Sequence, residues 1–72
     1  MIINYKKCID IRKNKMLSIT ELAHKASVSY FTVKRFEGGS RLKLESYKRI
    51  LSGLGYTVEE AYKEGLIVDD EL

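Results

Sequence analysis

The stretch SITELAHKASVSYFTVKRFEGG, residues 18–39, decides the fold. Its first four residues form a capping box: the Ser18 hydroxyl serves the backbone N–H of the third helical residue, and Glu21 reaches back to the N–H of Ser18. Leu17 and Leu22 stand at the positions of the matching hydrophobic staple. That helix runs to about Ala26, where Ser27 and Val28 make a short break. Ser29 caps the next helix, with Val28 and Val33 as its staple, and Gly38 and Gly39 end it. Two short helices joined by a tight break have the geometry of a helix-turn-helix.

The same punctuation continues on either side. Upstream, Tyr5, Cys8, Ile9 and Met16 recur at helical spacing. Downstream, a helix from about Leu44 buries Leu44, Tyr47, Ile50, Leu51 and Leu54, and Gly55 stops it. TVEE at 57–60 is a second capping box and opens a brief fifth helix that Gly65 closes. The sequence therefore predicts an all-α, compact five-helix domain over residues 1–65, with the helix-turn-helix at helices 2 and 3. A short apolar-acidic tail follows at 66–72. Leu66, Ile67 and Val68 are too many consecutive apolar residues for a free tail, so they cover the domain's own core or form a dimer or partner contact.

With 72 residues only a small core forms, and a catalytic pocket is hard to fit. A single Cys8 excludes an intrachain disulfide and any multi-cysteine metal site, which suits a reducing cytosol. The opening MIINYKK lacks the apolar run of a signal peptide, and nothing approaches the ~20 apolar residues of a membrane span. Charge is divided unevenly along the chain. Residues 1–49 hold twelve Lys or Arg against four acidic residues, a net of +8, whereas residues 50–72 hold Lys63 against six, a net of −5. A basic body attracts a polyanion by displacing counterions from its phosphates.

The run from Leu17 to Gly39, with RKNKML before it and LESYKRILSGLGYTVEEA after it, resembles the helix-turn-helix of the lambda-repressor and Cro-like regulators, also called XRE-like. The resemblance spans roughly residues 9–62, with Ser18, Leu22, Ala23, Val28, Val33, Glu37, Gly39, Leu44, Leu54 and Gly55 at matching positions. It implies that Arg12 pairs with Glu37 to tie the motif together. It also implies that Tyr30, Phe31, Lys34 and Arg35 face outward from the recognition helix while Val33 and Phe36 face the core. Arg35 then becomes the base reader, able to donate two hydrogen bonds to guanine O6 and N7. Lys34, Arg41 and Lys43 become phosphate contacts, with Ser18, Ser29, Thr32 and the backbone N–H groups at the starts of helices 2 and 3. Two positions depart from the family pattern: Ile19 stands where Gln is usual, and Ser27 replaces the usual turn Gly.

Two functions of different class are open. One is a transcriptional regulator that binds double-stranded operator DNA, as a homodimer, in the cytoplasm of a bacterial host. The other, similar to the small modulators of temperate phage switches, binds a cognate repressor protein and blocks its DNA contacts. Ile19, Tyr30 and Phe31 would then form an apolar contact cluster, with Glu59, Glu60, Glu64, Asp69, Asp70 and Glu71 meeting a basic partner. His24, the one histidine, has no second ligand or nucleophile in view, so neither an enzyme nor a cofactor site is expected. Cys8 reads as a buried thiol on the helix-one stripe.

Overall fold

The helices begin where side chains supply acceptors for N–H groups that have no intrahelical partner. The computed structural model of the chain describes residues 1–68, and in it Asn4 caps α1 (Tyr5–Asn14), Ser18 caps α2 (Ile19–Ala26), Ser29 caps α3 (Tyr30–Glu37) and Thr57 caps α5 (Val58–Lys63). Both capping boxes form: Ser18 Oγ accepts from Glu21 N at 3.0 Å, and Thr57 Oγ1 accepts from Glu60 N at 3.0 Å. The fourth helix, α4 (Leu44–Gly53), starts at Lys43 without a side-chain cap.

These five helices end the same way. The residue after the last turn is left-handed, its N–H returns to the carbonyl three residues back, and the next N–H returns five residues back, the Schellman arrangement. The left-handed residues are Met16, Ser27, Gly39, Gly55 and Gly65. The long returns run from Leu17, Val28, Ser40, Tyr56 and Leu66 to Arg12, Ala23, Arg35, Leu51 and Ala61. Leu17 and Val28 therefore close one helix and stand at the staple position of the next.

α2 packs against α4 at the centre, with α3 and α1 on one side and α5 on the other. The core is Cys8, Leu22, Ala23, Ala26, Val33, Phe36, Ile50, Leu51, Leu54, Ala61, Leu66 and Ile67. α2 and α4 come close because Gly53 meets Ala26: a Cβ on Gly53 would lie 3.0 Å from Ala26 Cβ and 3.1 Å from its Cα and N. Arg12 is the one charged residue buried among those described. Its Nε and Nη2 donate to the two oxygens of Glu37 at 2.6 and 3.0 Å, and its Nη1 donates to the Leu17 carbonyl at 2.8 Å. The pair expected from the family resemblance is thus a two-pronged clamp from α1 to the end of α3.

Three features depart from expectation. Met16 lies outside α1, 89% exposed, because the chain must turn left-handed there to close the helix. Leu44 is 55% exposed instead of buried, since the first turn of α4 extends past the core that Ile50, Leu51 and Leu54 share. Leu66 and Ile67 join that core, one of the two expected readings of this segment, but Ile67 with Val68 forms an unexpected strand, β2, antiparallel to β1 (Ile2–Ile3). Ile2 lies opposite Val68 and Ile3 opposite Ile67. Asp69, Asp70, Glu71 and the end of the expected tail lie outside the described residues.

Candidate nucleic-acid interface

α2 and α3 are each eight residues long and are joined by Ser27, Val28 and Ser29, so the helix-turn-helix layout is present. Val33 and Phe36 are buried, which turns Tyr30, Phe31, Lys34 and Arg35 outward. Phe31 is 73% exposed and Tyr30 43%. Their rings meet edge to face, with centroids 5.6 Å apart and an interplanar angle of 87°. Such a contact is worth about 0.5–1.5 kcal/mol beyond area burial, enough to bias both rotamers.

Four of the expected contact residues converge on one feature. Thr32, Arg35, Arg41 and Lys43, with Leu42 and Ser46, line a surface concavity of about 440 Å³ between α3 and the start of α4. Three cationic residues and two hydroxyl-bearing ones thus line the same space. The loop that brings Arg41 and Lys43 there is tethered: Leu42 N donates to Tyr47 Oη at 2.9 Å, and the Tyr47 ring meets Phe36 of α3 at 6.0 Å and 64°. A group held by such supports reaches its ligand with less ordering entropy left to lose. Ser46 and Tyr47 were missed as site residues. The one sequence signal was their place in the first turn of a helix that follows a basic loop.

The starts of α2 and α3 are not equivalent. At α2 the capping box occupies the N–H groups of Ser18 and Glu21, and the Glu21 carboxylate lies there itself. Its pKa is lowered, first by the Ser18 backbone N–H and then by the Ser18 hydroxyl, with Lys25 adding to the effect. A second anion would meet that carboxylate. α3 has no acidic residue in its first turn, so its positive end faces outward unopposed. Ser29 Oγ accepts from Thr32 N at 3.1 Å and lies 2.9 Å from Thr32 Oγ1, so the two hydroxyls bond each other. Of the expected contacts, Ser29, Tyr30 and Phe31 stand at the start of α3, Lys34 on its outward face, and Ser18 apart at the start of α2.

Other supports fix α3 in place. Arg49 of α4 donates from Nη1 to the Ser27 carbonyl at 3.0 Å and pairs with Glu45 at 3.3 Å, linking α4 to the turn between α2 and α3. Ile19 is half-buried against the core, not part of an exposed apolar cluster, so Tyr30 and Phe31 carry the apolar surface of this face. His24 is exposed, and among the described residues no group of three His, Cys, Asp or Glu could hold a metal ion. No helix among them is long and apolar enough to cross a membrane. Cys8 is buried, and burial pushes its thiol up to about 11, with the Glu37 carboxylate adding to the shift. No protein-family model, curated protein or solved structure matches the chain.

Proposed function

We propose that the protein is a helix-turn-helix transcriptional regulator of the Cro-like kind, which docks α3 in the major groove of operator DNA. The observation that carries this reading is the concavity where Arg35, Arg41 and Lys43 meet the hydroxyls of Thr32 and Ser46 beside the exposed start of α3. Phosphates of one strand enter that concavity and set the register, while α3 presents its outward side chains to the base edges. Arg35 stands at the boundary, close enough to the groove face to donate to guanine O6 and N7. Two copies, related by a two-fold axis, place their α3 helices in successive major grooves. The setting is the cytoplasm of a bacterial cell, within a phage-type genetic switch.

The test is selection of bound duplexes from a random-sequence pool at low and near-physiological salt. Enrichment of a two-fold symmetric site at the higher salt supports the proposal. With Lys34, Arg41 and Lys43 of each protomer engaging phosphates, the affinity for that site falls with a log–log salt slope of roughly 0.9 per phosphate contacted. Binding without enrichment, lost as salt rises, leaves only non-specific attraction and refutes it.

A second reading is favoured by the 73% exposure of Phe31. In it, Tyr30 and Phe31 grip a cognate repressor and displace it from DNA, with Glu59, Glu60 and Glu64 facing that partner's basic surface. The two readings differ in which variant harms most. For DNA, Arg35→Ala costs about 1–3 kcal/mol and relaxes preference at one base position. For a protein partner, Phe31→Ala is the worse lesion.

A further inference from the structure

We infer that Phe31 reads the 5-methyl group of a thymine in the major groove, so that each half-site favours an A·T pair close to the guanine contacted by Arg35. This inference rests on the DNA-binding reading above. Phe31 is the second residue of α3, and the N-terminal residues of a recognition helix are those that reach base edges. Its ring has no donor or acceptor, so the hydrogen-bond pattern of the bases is invisible to it. The one apolar feature that a base pair shows in the major groove is the thymine methyl.

The surroundings narrow the role further. Tyr30 meets the ring edge to face, which leaves Phe31 braced as an apolar surface at 73% exposure. The nearby hydroxyls of Ser29 and Thr32 lie 2.9 Å apart and bond each other, which ties them to the start of the helix beside the ring. Arg35 follows four residues later, on the same side of the helix. Four residues advance about 6 Å along the axis, and base pairs are spaced by about 3.4 Å. The thymine and the guanine therefore lie within about two base steps of each other.

The experiment uses the duplex most enriched in the selection, with thymines replaced one at a time by deoxyuridine, which deletes the methyl and leaves pairing intact. Affinity is measured for the wild type, Phe31→Ala and Phe31→Leu. For the wild type, one deoxyuridine per half-site weakens binding by about fourfold, the worth of one buried methyl, and the other replacements have no effect. Phe31→Ala binds the two duplexes equally, and Phe31→Leu keeps some of the difference. Specific binding in which no single methyl matters, or in which Phe31→Ala remains as methyl-sensitive as the wild type, overturns the inference and leaves operator binding standing. Phe31→Ala that binds DNA normally but no longer captures a repressor protein assigns the ring to a protein contact and also overturns it. A pool with no enriched duplex removes both readings together.

Discussion

Replacing Arg12 by Ala removes more than a surface charge. Its side chain and that of Glu37 are 10% and 11% exposed, so the Glu37 carboxylate would be left nearly dry and unpaired, and the Leu17 carbonyl would lose its donor. Breaking a buried pair of this kind costs about 3–5 kcal/mol. A chain of 72 residues has roughly 4–11 kcal/mol of stability in total. The variant therefore loses between about a quarter and all of its stability. In urea, with a slope of about 1 kcal/mol per M for a domain this small, the unfolding midpoint followed by far-UV circular dichroism falls by about 3–5 M. The double variant Arg12→Met, Glu37→Met recovers most of the loss, because no charge is left buried without its partner. A single variant whose midpoint stays within about 0.5 M of wild type, or a double variant no better than the single one, would refute the reasoning.

Other perturbations probe the packing and the helix ends. Gly53→Ala inserts a methyl 3.0 Å from Ala26 Cβ and 3.1 Å from its backbone Cα and N, and calorimetry should show a loss of about 1–3 kcal/mol despite the higher helix propensity of alanine. Ser27→Gly and Met16→Gly relieve left-handed residues with φ of 56° and 57°, and each should raise stability by about 1 kcal/mol in urea titrations. The Cys8 pKa is raised to about 11 in the folded state. The unfolded thiol, at about 8.5–9, loses its proton first, so the unfolded state binds fewer protons in that interval. This group's contribution to stability is complete below about pH 8.5 and is lost as pH rises towards 11, by at most about 1.4 kcal/mol per unit. Subtracting the profile of Cys8→Ala from that of the wild type isolates the effect, and identical profiles would contradict it.

The helix starts were legible because the signal is local. Ser18 with Glu21 and Thr57 with Glu60 place each acceptor three residues from its donor, whatever the rest of the chain does. The stops were legible where the left-handed residue is glycine, at 39, 55 and 65, and not at Met16, where a side chain bears the strain. Pairing between residues 2 and 68 left no mark, since a two-residue strand is too short for an alternating pattern, and the partners are 66 positions apart. The outward face of α3 came from the family resemblance, which set Val33 and Phe36 inward, and both are buried. The convergence of Arg35, Arg41 and Lys43 on one concavity depends on a hydrogen bond from Leu42 to Tyr47, which no spacing rule anticipates.

The pairing of β1 with β2 also has a mechanical meaning. Ile2 faces Val68 at the outer rung, Ile3 faces Ile67 next, and Asn4 N donates to the Leu66 carbonyl at 2.8 Å behind them. Tension applied at residues 1 and 68 pulls across these rungs and not along the strands, so the rungs open in succession, each bearing the whole load in turn. The clasp peels like a zipper under low force. Its last rung exposes Leu66 and Ile67, and from that point the load passes directly to the hydrophobic contacts beneath α5.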